Sequence, residues 1–353
     1  MELIRSFRDR DYLETEEGFF FTVVGNIHPK DKVIAYLKNA PSRSGKWGSG
    51  KRRYERSLKY YTMNHLKETL NFLALHHPHY IQELKAENII FSVVPINRIR
   101  KHYRPEERLI NLSKKKDLDI LENKTIELVN FLAKTSNVQS SCLGVTGSIL
   151  IDIHNPTFSD IDLTVYGKKN SFALKDALQQ LMKQEKSPIK KLTNEKLKEW
   201  CKKKSELFPL TIEETYKIYQ RRWNRGTFKG TLFSMHPIKT EKETLKKYGD
   251  TSFTPMGIIE AKAQVINSSD AIYMPAVYLV RDVQIFFGPN VQRIEEVITY
   301  EGLYKDLVYD GEYLLCRGKL EKVEDKRDGR TYHRIVIGSP EAAGNDYIKP
   351  AFW

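Results

Sequence analysis

The chain has 353 residues, 40% of them hydrophobic and 29% charged, with a formal net charge of +13. That is a soluble globular composition, long enough for two or three domains, and no apolar run approaches the roughly 20 residues that span a bilayer. The cationic surplus favours a polyanionic partner such as nucleic acid or a nucleotide; the plainer account is a lysine-rich solvated surface. The three cysteines (Cys142, Cys201 and Cys316) are far apart and form no CxxC, so neither a disulfide framework nor a zinc site is expected. The first segment, MELIRSFRDRDYLETEEG, is charged and lacks the apolar core of a signal peptide, which together with the cysteine usage predicts a cytoplasmic protein.

In chain order, residues 1–112 read as an α+β domain. Phe19–Val24 and Lys32–Leu37 are β-rich runs joined by a His-Pro-Lys-Asp turn. The stretch KWGSGKRRYERSLKYY opens flexible and basic and is expected to turn helical near Tyr54. A helix broken near Pro78 follows, then a strand, NIIFSVVP, ending at Pro95. Residues 113–245 form a central domain. Apolar residues at 118, 121, 128, 129 and 132 give a helical stripe, SSCLGVTGS is a strand running into a tight turn, and DIDLTVYG is a second strand. Three helical stretches come next, the last being TIEETYKIYQRRWNRG, and then a third strand, GTLFSMHPIK. From 246 to 353 short β-type runs separated by turn signals predict a small barrel or sandwich, possible partners in type being the OB-like barrels.

One spacing carries chemistry. Gly147-Ser148 is followed after eleven residues by Asp160-Ile161-Asp162 and an apolar run. Alternate strand residues share a face, so the two carboxylates lie close together, which is unfavourable without a neutralising cation. A hard divalent ion suits such a pair, because Mg²⁺ takes oxygen ligands and completes its octahedron with waters and substrate phosphates. Gly147 lets the backbone approach a phosphate, and Ser148 adds a hydroxyl and an N–H at the start of a helix.

This pattern, with a helix and a strand before it, resembles the DNA polymerase β-like nucleotidyltransferase superfamily over residues 118–240. The flanking parts are similar to uncharacterised archaeal proteins of this build. The resemblance implies a mixed sheet with helices, triphosphate binding by Gly147 and Ser148, and Mg²⁺ (or Mn²⁺) binding by Asp160 and Asp162. It also implies a third carboxylate on a later strand. The third strand offers only Ser234 and His236, and the next candidate is Glu260 in the β-type run GIIEAKAQVI, which stands as the candidate third catalytic carboxylate, with an exposed strand residue as the alternative. His236 is the other possible substitute.

Two basic stretches interleave cations with aromatics, the pattern of a single-strand contact surface: Lys51, Arg52 and Arg53 in the first, and Arg221, Arg222, Arg225 and Lys229 in the second. Amphipathic helices with solvated basic faces would read the same way. The expected function is therefore metal-dependent transfer of a nucleoside monophosphate from an NTP, ATP among them, to a hydroxyl acceptor on nucleic acid, RNA rather than DNA, with no membrane partner. Two readings stay open beside it: a catalytically degenerate fold that binds nucleic acid or a ribonucleoprotein, and a transferase that modifies protein or makes a small nucleotide.

Overall fold

Alternation sets the first strands. Lys32–Pro41 buries every second side chain (Val33, Ala35, Leu37), while Tyr12–Thr15 and Phe20–Val23 are buried on both faces. The computed structural model describes residues 5–50, 52–57 and 63–353, without the side chains of residues 63 and 64. In chain order its strands and helices are β1 (Tyr12–Thr15), β2 (Phe20–Val23), β3 (Lys32–Pro41), β4 (Trp47–Ser49), β5 (Arg52–Arg56), α1 (Met63–His76), β6 (Ile81–Leu84), β7 (Ile89–Pro95), β8 (Ile99–Tyr103), α2 (Pro105–Lys114) and α3 (Ile120–Ser136). Then come β9 (Leu143–Thr146), α4 (Gly147–Leu150), β10 (Ile161–Tyr166), α5 (Lys168–Leu181), β11 (Ile189–Lys190), α6 (Asn194–Leu207), α7 (Ile212–Arg221), β12 (Arg225–Phe228) and β13 (Thr231–Ile238). The last part holds β14 (Thr251–Asn267), β15 (Ala276–Phe287), β16 (Ile294–Thr299), β17 (Tyr313–Asp325), β18 (Arg330–Ile337) and β19 (Tyr347–Pro350). The fold is a mixture of α and β, as expected.

The described residues fall into two compact units, each drawn from three stretches: Met1–Ser57, Val93–Leu192 and Trp223–Leu245 in the first, Leu58–Ser92, Thr193–Arg222 and Lys246–Trp353 in the second. This is a different division from the 1–112, 113–245 and 246–353 read from the sequence.

The first unit holds two sheets. One runs β4-β5-β3-β2-β1-β8, with Val93–Pro95 of β7 also paired to β3. The other runs β11-β12-β13-β10-β9, with β10 and β13 parallel and the remaining pairs antiparallel. Arg52–Arg56 is a strand, not the helix expected near Tyr54. Gly48 and Gly50 hold positive φ values of 78° and 56° beside it, and Trp47 pairs with Tyr54, so a hairpin is available where a helix would leave these aromatics unpaired.

Helix α3 starts at a capping box. The Asp119 carboxylate accepts from the backbone N–H groups of Leu121 and Glu122 at 2.8 and 2.9 Å, and Glu122 accepts from Asp119 N at 3.1 Å. Such a cap contributes about 1 kcal/mol. The helix buries Leu121, Leu128, Val129 and Leu132, each worth roughly 2 kcal/mol, and packs against α5 and α2.

In the second unit the ladder of β14-β15-β16-β18-β17 returns through a β14–β17 pairing, and β19 adds to β17. The β16–β18 pair is parallel. Ala261, Ala263, Val265, Tyr278, Val297, Leu314 and Ile335 fill its interior, together with Phe208, Leu210 and Ile218 from around α6 and α7. Helix α1 ends at His76, before Pro78, as the sequence predicts. Among the described residues no helix is long and apolar enough to cross a membrane.

Candidate active site

Three strands bring the motif together in the first unit. Asp162 of β10 pairs with Thr146 of β9 on one side and, in parallel, with Ser234 of β13 on the other. Gly147 follows Thr146 directly and has φ of 69°. A β-carbon built there would run into the Asp162 carboxylate, with Asp162 Cβ and Cγ both 3.2 Å away. Glycine is therefore required twice, by its backbone and by the closeness of the carboxylate.

The turn is held from behind. Ser148 O accepts from Ile153 N at 3.0 Å, and Ile153 O accepts from Gly48 N of β4 at 2.8 Å. Leu150, Ile151 and Ile153 pack with Tyr12, Phe20 and Tyr54 of the N-terminal sheet. Arg108 of α2 donates to Ile149 O at 2.9 Å, to Asp152 at 3.0 Å and to the buried Glu122 at 3.1 Å. Apolar packing and a charged clamp thus fix the Gly147-Ser148 turn against β10.

The electrostatics of the acid pair are asymmetric. The Ser234 hydroxyl donates to Asp162 Oδ1, and its oxygen lies 2.8 Å from His236 Nε2, which is itself 3.7 Å from Asp162 Oδ1. A hydroxyl has one proton, so giving it to Asp162 leaves Ser234 Oγ to accept from His236. Burial alone would raise the Asp162 carboxyl, but His236, the Lys38 charge and the Ser234 hydrogen bond outweigh it and hold the group well below the usual carboxylate range. Asp160 is pushed up to about 6, chiefly by the negative charge of Asp162 and then by burial, with Arg225 and Arg56 pulling the other way. The half-buried Arg10, close to Asp9, also lies in the field of Asp162.

Two carboxylates on one edge, one of them destabilised by the other, form an oxygen donor set that a hard divalent cation fits. Cations from three strands act on the pair through their charge: Lys38 on β3 on Asp162, and Arg56 on β5 and Arg225 on β12 on Asp160. The Nε of Arg225 is buried with no hydrogen-bond partner among the described residues. A second acidic and histidine group, Asp119, Glu122 and His154, also has its ligand atoms close together. Its carboxylates are occupied: Glu122 by Arg108 and by Lys115 at 2.6 Å, and Asp119 by the start of α3 and by His154 at 2.7 Å.

The other predicted residues scatter. Glu260 lies on β14 in the second unit, where Tyr347 donates to it at 2.8 Å and Arg317 stands 3.5 Å away. The strand beside Asp162 carries Ser234 and His236 and no acid. Lys51 lies outside the described residues, and Arg52 and Arg53 are exposed on β5. Arg221 donates twice to Glu312 at 2.7 Å and once to Leu307 O at 2.8 Å, all within the second unit, and Arg222 donates to Gly302 O at 3.3 Å. Lys229 pairs with Glu127 at 2.9 Å. Only Arg225 joins the acid pair. The sequence reading missed Arg10 and Lys38, which lie more than a hundred residues before the motif; only the alternation of β3, which turns Lys38 away from the buried Leu37, hinted at an outward cation.

This geometry and a match of residues 126–245 to the family described as "Nucleotidyltransferase domain" define the class: the chain carries a nucleotidyltransferase domain of the polymerase β-like superfamily. Over 344 residues, 97% of this chain and 98% of the relative, it is 32% identical to the uncharacterized protein MJ1086 of Methanocaldococcus jannaschii, and the chain belongs to one family with that protein. No solved structure matches it.

Proposed function

We propose that the protein transfers a nucleoside monophosphate from an NTP, with ATP the first to try, to a hydroxyl acceptor on RNA, in the cytoplasm, with Mg²⁺ or Mn²⁺ bound. The observation that carries this reading is the acid pair itself: Asp160 pushed up by Asp162 on one strand edge, against a glycine turn with no room for a side chain. Asp160 and Asp162 would hold the metal, which when bound supplies charge stabilisation at the phosphates during an in-line displacement. Ser148 and the backbone at Gly147 receive the triphosphate. Lys38, Arg56 and Arg225 draw in the anion and balance charge that builds as pyrophosphate leaves. Ser234 and His236 orient Asp162 in place of a third carboxylate, and Glu260 takes no part. Arg52 and Arg53, exposed on β5, offer phosphate contacts to the acceptor. The closed ladder with a parallel β16–β18 pair supports an OB-like small barrel for the last hundred residues.

One observation favours the degenerate reading: Ser234 and His236 stand where a third acid is expected, so a general base at the acceptor is unassigned. The test is incubation with Mg²⁺ or Mn²⁺, each α-labelled NTP and total RNA, DNA or protein, beside Asp160→Ala/Asp162→Ala. Label moved to RNA by the wild type, and reduced at least a thousandfold in the double variant, is the expected result. Label on protein, or in a soluble product without nucleic acid, selects the other transferase. No label, with equal RNA binding by both proteins, overturns the enzyme and leaves a binding fold.

A further inference from the structure

Beside the acid pair sits an aromatic group that the reading above does not use. Phe158, two residues before Asp160, is 52% exposed. It is not at a loose loop tip. Phe158 N and Ser159 N both donate to Asn155 O, at 3.2 and 2.9 Å, and Asn155 N donates back to the Ser159 hydroxyl at 2.9 Å. The Asn155 side chain also accepts from Thr157 N at 3.0 Å. These reciprocal bonds lock the turn that presents the ring.

The ring meets Trp47 of β4 edge to face, with centroids 5.9 Å apart and an interplanar angle of 87°. The Arg56 guanidinium lies 4.6 Å from the Trp47 ring centroid, and its charge is felt at Asp160. Gly48, next to Trp47, is bonded to Ile153 behind the Gly147-Ser148 turn. A half-exposed aromatic ring, a second ring, a guanidinium, two carboxylates and the Gly147-Ser148 turn are therefore joined through short connections. Two residues of chain keep the Phe158 and Asp160 Cα atoms within about 7 Å.

A half-exposed phenyl ring offers apolar surface that a ligand can cover, and a flat heteroaromatic base is the ligand whose attached phosphates match the neighbouring charges. We propose that Phe158, braced by Trp47, is the stacking platform for the base of the incoming nucleotide, and that Arg56 spans base and phosphate by resting on Trp47. The proposal rests on the nucleotide-binding half of the reading above and adds the element that separates a nucleotide from a bare polyphosphate. A stacking face accepts any base, so discrimination among the four NTPs is expected to be modest.

The test compares equilibrium binding of ATP and of inorganic tripolyphosphate, each with Mg²⁺, to the full chain. Wild type is expected to prefer ATP, with Phe158→Ala weakening ATP about tenfold and leaving tripolyphosphate unchanged. Phe158→Tyr should restore ATP binding, which a merely structural residue would not require, and the melting temperature of each variant checks the fold. Steady-state kinetics should show KM for the NTP rising with kcat little altered. Equal ATP binding by Phe158→Ala and wild type overturns the proposal, as does an equal loss of tripolyphosphate or an effect confined to RNA binding. Selective loss of ATP binding in a protein that transfers no label would support the platform while sinking the catalytic reading. Retained transfer with unchanged ATP binding would do the reverse.

Discussion

Asp162 on β10 and Glu260 on β14 are both strand carboxylates with two polar neighbours, yet their surroundings differ in kind. Glu260 has a guanidinium at 3.5 Å and a phenol donating at 2.8 Å, so its charge is answered by its own sheet. Asp162 has a second carboxylate beside it, and Asp160 carries the consequence, pushed up to about 6. A carboxylate balanced by a fixed cation is a structural element. A pair left in conflict despite nearby lysine and arginine is a site that gains from a further, mobile cation.

The sharpest way to break this contrast is at Gly147. Gly147→Ala puts a β-carbon against the Asp162 carboxylate and forces φ of 69° on an L residue. The expected outcome is a loss of transfer of about a hundredfold, with stability falling by about 1–3 kcal/mol in denaturant unfolding. Activity within twofold of wild type would show that the carboxylate can move aside, and that the turn does not place it.

The conflict inside the pair also has a pH signature. In metal-free protein, folding raises the Asp160 carboxyl from 3.8 to about 6. The folded state therefore holds a proton that the unfolded chain has released, and stability falls as pH rises from about 4 to 6. Asp160→Asn removes that penalty. Its melting temperature should exceed that of wild type above pH 6, with the gain vanishing below pH 4. At about 1.4 kcal/mol per unit the ceiling is roughly 3 kcal/mol, lowered by the water that reaches the partly exposed carboxyl. With saturating Mg²⁺ the wild type should recover the difference. A pH-independent gain would mean that Asp162 does not repel Asp160.

The acid pair and the glycine turn were legible because they sit within one short stretch, where strand alternation and positive-φ chemistry are local rules. Their companions were not. Lys38 and Arg10 reach the pair only through sheet pairings and loop packing far along the chain, which periodicity does not encode, and Arg56 was read as part of a basic contact stretch with no link to the acids. Arg225 was found for a mistaken reason: it was read as part of a helical basic stretch, whereas α7 stops at Arg221 and Arg225 opens β12. Tyr54 misled in the opposite direction, because the cations around it look helical while its glycine-bounded hairpin with Trp47 decides for strand.

Glu260 was chosen from the sequence because it lies in the next β-type run after the third strand, and the strand that pairs with Asp162 carries Ser234 and His236 instead. Glu260→Gln tests the choice directly. The amide keeps an oxygen for Tyr347 and loses only the ion pair with Arg317, an exchange worth about 1 kcal/mol at a partly exposed site. Transfer should change by less than about twofold, measured as kcat/KM for the NTP at saturating acceptor. A third metal ligand removed in the same way would lose about a hundredfold or more and shift the Mg²⁺ requirement upward. An outcome of that size would make Glu260 part of the catalytic set, and would mean that the ion pair with Arg317 opens during turnover, so that the distinction between a balanced and an unbalanced carboxylate fails in this molecule.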